Sequence, residues 1–202
     1  MTSRAFRVVE MFEEAVAEFA GSRYGVAVDS CTTALFLSCL RSGAAGIEVT
    51  IPARTYISVP NAIIHAGGRV RFEDVVWTGA YLLRPLEIVD GALRMRRGMY
   101  AGGLHCVSFH ARKHIKIGRG GMVLTDDVDA AAWLRRMRFD GRDGSVPFLR
   151  DQGITEHGFN AYLTPEQAAR GLQLLEAHPD DAPDLDLAYP DLRGLPAFRS
   201  AT

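Results

Sequence analysis

Lys113 has the strongest claim on chemistry in this sequence. It closes the run Ser108-Phe-His-Ala-Arg-Lys113, and Gly118-Arg-Gly-Gly121 follows it. A lysine amine can attack an electrophile and, once neutral, carry a proton; the plainer alternative is a solvated surface charge. The polar turn Asp29-Ser-Cys-Thr-Thr33 leads into Ala34-Leu-Phe-Leu-Ser-Cys-Leu40. The first amides of a helix have no intrahelical acceptor, so such a turn is a ready anion site, with Thr32 and Thr33 as its hydroxyls. Thr32 serves equally as a plain helix cap. Asp90 follows the short apolar run Leu86-Glu-Ile-Val89 and offers a carboxylate to a cation, although Asp before Gly is also a common turn pair. Tyr56 offers an aromatic face or a core ring. Arg94, Arg96, Arg97, Arg112, Lys116 and Arg119 surround these groups in sequence, as contacts for an acidic or phosphorylated substrate or as loop charges. His105, His110 and His114 share no face of a strand or helix at their spacing, so no metal site is predicted.

These side chains need elements to position them. Phe6, Val9, Phe12, Val16 and Phe19 recur at helical spacing with glutamates between them, and Gly21 ends that helix. Tyr24–Val28 reads as a strand, Ala34–Leu40 as a helix, Glu48–Ile51 as a strand, Ser58–His65 as a helix and Arg69–Phe72 as a strand. Residues 75–87 show no periodicity. Leu86–Val89, Leu104–Phe109 and Gly121–Thr125 read as strands and Val128–Arg138 as a helix with its charges matched to the dipole. Residues 139–157 read as an irregular but ordered loop, and Thr164-Pro-Glu166 opens a last helix through Glu176. Beyond His178 the chain is rich in Pro and Asp and reads as a loosely packed tail. Alternating strands and helices predict an α/β fold with a mainly parallel sheet and helices on both faces. Ligands sit at the C-terminal ends of strands in such sheets. Ser30–Thr33, Thr55-Tyr56, Asp90 and Ser108–Lys113 fall at those ends.

The 202 residues make one domain, expected over residues 1–178 with a tail over 179–202. A net charge of −1 provides no long-range field to recruit nucleic acid or a membrane surface. Cys31, Cys39 and Cys106 follow no metal-like spacing and are odd in number, which predicts free thiols in a reducing compartment. Acidic residues interrupt the apolar runs of the first twenty residues, so no signal peptide is expected there, and no apolar stretch has the length of a membrane span. The expectation is a cytoplasmic protein.

The Lys113 segment resembles the lysine motif of the DegT/DnrJ/EryC1/StrS sugar aminotransferases, a family of the pyridoxal phosphate (PLP) fold-type I group. The pattern is S-F-x-x-x-K, four residues, then G-x-G-G, and all six fixed positions are present. Ser30-Cys-Thr-Thr-Ala-Leu35 resembles the family's S-G-T-x-A-L phosphate turn with Cys31 in place of Gly. Phe12-Glu13, Phe19-Ala-Gly21 and Tyr24 resemble its opening helix. Glu48-Val-Thr-Ile-Pro52, Thr55-Tyr56 and Asn61-Ala-Ile63 resemble E-V-I-x-P…T-F…N-A-I, and Gly67–Asp74 resembles G-A-x-P-V-F-x-D. Asp90-Gly-Ala92, Gly158-Phe-Asn160 and Gln167-Ala-Ala169 resemble D-x-A and G-x-N-x-R…Q-A-A. The likeness runs over about residues 10–176.

The resemblance implies PLP as cofactor and Lys113 as the amine of its Schiff base. It also implies Thr32, Thr33 and Ser108 at the phosphate, Asp90 at the pyridine nitrogen and Tyr56 against the ring. Asn160 would reach the phosphate of a neighbouring subunit in a homodimer. The implied reaction is transfer of an amino group, from a donor such as glutamate, to a keto group on a sugar nucleotide or other small molecule. Departures accompany the matches. The stretch between Asp74 and Asp90 is far shorter than in the family, which implies a deleted strand–helix unit. The family's small C-terminal domain is not expected, Leu93 stands where many members have Gln, and Tyr162 replaces the Arg of G-x-N-x-R. Alternative readings are a catalytically degenerate binding or structural subunit, a PLP lyase, decarboxylase or racemase, and an ordinary α/β nucleotide-binding domain. Lys113 argues against the family's dehydratases, which carry His there.

Overall fold

Helix α1 (Arg7–Ala20) buries Val9, Phe12, Val16 and Phe19 along one stripe, and Gly21, at φ 87°, ends it in the left-handed region. This computed structural model describes residues 6–143, 154 and 156–198. After α1 come β1 (Tyr24–Val28), α2 (Cys31–Arg41), β2 (Glu48–Pro52), α3 (Ser58–His65), β3 (Arg69–Glu73), β4 (Tyr81–Leu83), β5 (Ile88–Asp90), β6 (Leu104–Ser108), β7 (Gly121–Thr125), α4 (Val128–Met137) and α5 (Pro165–Glu176). Helix α2 starts three residues before the predicted Ala34, because the Ser30 side chain caps the Thr33 amide and draws Cys31-Thr-Thr33 into the first turn. Thr164 and Gln167 form a full capping box on α5. Residues 75–87 hold β4, a strand too short for its alternation to show in sequence.

The main sheet has the order β1-β7-β6-β5-β4, and β2 and β3 form a second, parallel pair. An antiparallel bridge between Thr50 and Arg84 sets β2 beside β4. The α/β architecture agrees with the sequence reading, but the mainly parallel sheet needs correction. The β1–β7, β7–β6 and β5–β4 pairs are antiparallel, and in the main sheet only β5–β6 is parallel. The short glycine-bearing link from β6 to β7 has no crossover helix, so β7 must return antiparallel beside β6. Strands β1, β6 and β5 nevertheless run in the same direction, and their C-terminal ends share one edge with the start of β7.

Helices cover both faces. Val26, Val28, Cys106 and Val123 pack with Leu35, Leu37 and Leu134 from α2 and α4, whereas Ala27, Val107, Met122 and Leu124 pack with Phe12, Val16 and Leu175 from α1 and α5. That is the strand period of two read from opposite sides. Glu13, read as part of the polar face of α1, is buried instead. Its Oε1 accepts from the Ala27 amide and from the Arg138 guanidinium, which also donates to Ala27 O, so one ion pair ties α1, β1 and the end of α4 together. Removing one partner of such a pair leaves an uncompensated buried charge.

Residues 179–198 do not hang loosely. Leu192 and Phe198 are buried, Phe198 meets Phe72 edge-on, and Leu185 N and Leu192 N donate to Leu93 O and Ala53 O. Pro- and Asp-rich composition hid two apolar anchors and a set of aspartates that pair with Arg94, Arg97 and Arg54. Among the described residues no helix is long and apolar enough to cross a membrane.

His105 of β6 is buried and both its ring nitrogens lack a partner. Gly91 makes the room, since a Cβ there would lie 2.1 Å from His105 Nε2. Burial, helped by the charge of Arg94, lowers its pKa to about 4 from 6.5. Between those values the unfolded chain binds a proton that the folded chain does not, so stability rises with pH through that window and is complete above it. The difference converts to about 3 kcal/mol. Urea unfolding of wild type and His105→Leu at pH 7 and pH 4 should show that part of the acid destabilisation missing from the variant; parallel losses would show that His105 is not its source.

Candidate active site

Three strand ends and one helix start converge on a pocket of about 260 Å³. From β1 and α2 come Ser30, Cys31 and Thr32; from β5, Asp90; from β6 and the loop after it, Ser108 and Lys113. The loop is closed by Phe109 N to Gly120 O at 2.9 Å and Lys113 N to His110 O at 2.8 Å. Gly118 and Gly120 take φ of 117° and 146°, values that side chains disfavour. Gly121 has a different duty: a Cβ there would come within 2.4 Å of Cys31 N. Only glycine lets the start of β7 lie against the start of α2, so the glycines of the motif both turn the lysine loop and seat the first turn of α2 beside it.

At that helix start Ser30 Oγ takes the Thr33 amide and Ser30 O takes the Ala34 amide. The amides of Cys31 and Thr32 keep no acceptor among the described residues, and both residues line the pocket. The Thr33 hydroxyl is turned away, donating to Asp29 Oδ1 at 2.6 Å and lying 2.9 Å from Ser30 Oγ, and Thr33 does not line the pocket.

Asp90 is the buried charge of the site, 4% exposed. Its Oδ1 accepts from Ala92 N at 3.0 Å and its Oδ2 from the Tyr81 hydroxyl at 2.9 Å. Tyr81 Oη in turn lies 2.5 Å from Thr55 Oγ1. No cation forms an ion pair with Asp90 among the described residues. Burial therefore pushes its pKa up, against the pull of the Ala92 amide, Tyr81 and the more distant charge of Lys113. The amine of Lys113 is pushed down by burial and held up by the field of Asp90. Each group disfavours its own charge here, and each is poised for a partner that brings one.

The pocket thus unites five predicted residues: Thr32, Tyr56, Asp90, Ser108 and Lys113. Tyr56 is largely exposed at the rim. Asn160 stands apart, exposed and bridged to Phe139. Tyr81, Trp77, Leu187 and Tyr189 were not legible as site residues. Tyr81 reaches Asp90 because β4 pairs Tyr81 opposite it. Trp77, Leu187 and Tyr189 line the pocket from segments without periodicity. The Lys113 Nζ lies 3.4 Å from the Tyr189 hydroxyl. The three histidines do not converge, and the described residues contain no group of three or more His, Cys, Asp or Glu placed to hold a metal ion.

The chain is 27% identical over 214 residues to the GDP-perosamine synthase of Caulobacter vibrioides, covering 84% of this chain and 57% of that protein. Among solved structures it resembles DesI, determined with its TDP-sugar product (27% identity, TM-score 0.68, 85% of this chain and 53% of that one). It also resembles AtS13 from Actinomadura melliaura (25% identity, TM-score 0.73, 85% and 60%). The chain spans about half the length of the curated relatives it matches. Its residues 3–88 and 94–180 match one family over most of their length, and the chain belongs to the DegT/DnrJ/EryC1/StrS aminotransferase family.

Proposed function

We propose that this chain binds PLP in the pocket and acts as an aminotransferase on a keto group of a sugar nucleotide or another small molecule, with Lys113 as its covalent amine. The observation that carries the reading is the buried carboxylate of Asp90, without an ion pair among the described residues, in one pocket with the amine of Lys113 and the amides of Cys31 and Thr32. The donor set fits the cofactor: a phosphate suits the amides of Cys31 and Thr32, a protonated ring nitrogen suits Asp90, and an aldehyde suits a lysine of lowered pKa. When bound, PLP supplies an electron sink beside the carbon that gains or loses the amine.

The protein's own residues do the rest. Thr32 and Ser108 add hydroxyls to the phosphate site. Thr55 and Tyr81 hold Asp90 through Tyr81 Oη, so its carboxylate cannot turn away. Tyr56 covers the rim with its ring. Lys113 in its neutral form takes and returns the substrate proton at Nζ, a duty that its partial burial favours by lowering the cost of neutrality. The exposed Arg112 at the pocket wall meets an acidic substrate group. Asn160 serves the phosphate of a second copy in a homodimer, which accords with its exposure. Sugar-nucleotide substrates rest on the named relatives, a GDP-perosamine synthase and a structure holding a TDP-sugar.

Absorbance of the purified protein with added PLP tests this. The expected result is a visible band that borohydride fixes covalently to the protein and that glutamate discharges. A band that glutamate leaves intact, while another amino acid loses CO2 or its α-proton, would move the reading to a lyase, decarboxylase or racemase. The absence of any band would leave a phosphate-binding domain of the same fold.

A further inference from the structure

Residues 184–198 run along the pocket wall, and they are fastened at both ends. At one end Arg94 grips Asp184 through Nε and a terminal nitrogen at 2.8 and 2.6 Å, and Leu185 N donates to Leu93 O. At the other, Arg193 joins Asp191 and Asp74, Leu192 N donates to Ala53 O, and Leu192 and Phe198 are buried. The stretch between those anchors puts Leu187 and Tyr189 into the pocket wall. The Tyr189 ring is stacked parallel to Trp77 at 8° and lies 6.1 Å from Tyr56, so three aromatic rings bracket one side of the cavity. Its hydroxyl accepts from Lys113 Nζ.

We propose that Tyr189 is a positioning residue for Lys113: its hydroxyl fixes the direction of the amine while its ring, held by Trp77, closes the acceptor side of the pocket. The proposal rests on the reading of Lys113 as the reactive amine. The assignment follows from what surrounds that amine. Asp90 is too far to form an ion pair with it, and the hydroxyl of Tyr189 is the one side-chain acceptor that meets Nζ among the described residues. A long lysine side chain with one anchor samples fewer orientations than one with none, and a reacting group held in a near-attack direction gains rate. Tyrosine suits the post. Burial and the field of Asp90 push its pKa up to about 12, so the phenol stays neutral and can accept from an ammonium or donate to a free amine.

The test uses Tyr189→Phe, which keeps the ring and removes the hydroxyl, and Tyr189→Ala, which removes both. The first readout needs no cofactor. The chain contains two lysines, Lys113 and the exposed Lys116, so competitive acetylation across pH reports the amine of Lys113 against an internal standard. Loss of the hydroxyl acceptor should move the Lys113 midpoint down by about 0.4–1 pH unit in Tyr189→Phe, the equivalent of one hydrogen bond, and leave Lys116 in place. The second readout is turnover with PLP: kcat about tenfold lower in Tyr189→Phe with the acceptor KM within about twofold, and a raised acceptor KM in Tyr189→Ala alone. An unmoved Lys113 midpoint together with unchanged kcat in Tyr189→Phe overturns the proposal. Failure of wild-type protein to trap PLP on Lys113 overturns the proposed function instead, and the acetylation profile still decides the contact by itself.

Discussion

Lys113→Ala protein is expected to bind PLP without the Schiff-base band, to yield no borohydride adduct on the protein, and to turn over about 10²–10⁴-fold more slowly than wild type. The size follows from what the side chain does. In the proposed reaction it is the attacking amine and the proton carrier at once, and the pocket wall has no second lysine. Lys116, the other lysine of the chain, is exposed and outside the wall. Peptide mapping after reduction therefore gives an unambiguous result. A mass increment on the peptide carrying Lys113 in wild type, absent in Lys113→Ala, assigns the nucleophile. An increment that persists in the variant would falsify the assignment and point to Lys116 or the chain terminus. Folding should survive, because Lys113 is only half-buried and forms no ion pair among the described residues. The first amides of α2 remain in the variant, so under the proposed function phosphate or PLP should still raise its melting temperature.

Asp90→Asn is expected to separate stability from activity. In the apo protein Asp90 is a buried carboxylate whose pKa lies above its ordinary value, so the folded chain binds its proton more tightly than the unfolded chain does. That preference favours the fold below the usual carboxylate pKa and is lost as pH rises through the raised value. At neutral pH the charge is a liability to the apo fold, and an amide of the same shape removes it. The melting temperature of apo Asp90→Asn should exceed that of wild type at pH 7, with the gap closing toward pH 3. Activity should move the other way. A carboxylate beside a cation shifts the cation's pKa by about 1–3 units, so its loss lowers the protonated fraction of the cofactor ring, and the rate, by about 10- to 1,000-fold. A variant both less stable at pH 7 and inactive would mark Asp90 as a structural group, whereas one more stable and slow would show a residue kept for chemistry.

The legible part of the site was local. The segment Ser108–Gly121 announces a turn that presents Lys113, because its glycines are needed where φ is positive or where a neighbouring backbone touches. The polar run before α2 announces a helix start, because a Ser cap and free amides are contacts within a few residues. Tyr81 could not be found this way. It acts on Asp90 only through the pairing of β4 with β5, and three residues of strand leave no pattern. Tyr189 lies in Pro- and Asp-rich chain that reads as a solvated tail, since composition does not reveal that those aspartates meet arginines from elsewhere. Glu13 reads as surface for the same reason: its partner Arg138 is distant in sequence.

The sequence by itself determined most of the elements, their caps, the lysine loop and the Ser-capped helix start, because each depends on backbone preferences and side chains within a turn or two. It also carried the family, through motif spacing. The tertiary structure alone decided strand direction and order, including the antiparallel place of β7. It therefore decided that Thr32, Asp90 and Lys113 share one edge. It decided too that Asp90 is buried with no ion pair among the described residues and that residues 184–198 bring Tyr189 to Lys113. Those are facts of long-range pairing and of exclusion from water, and such energies exist only once distant segments have met.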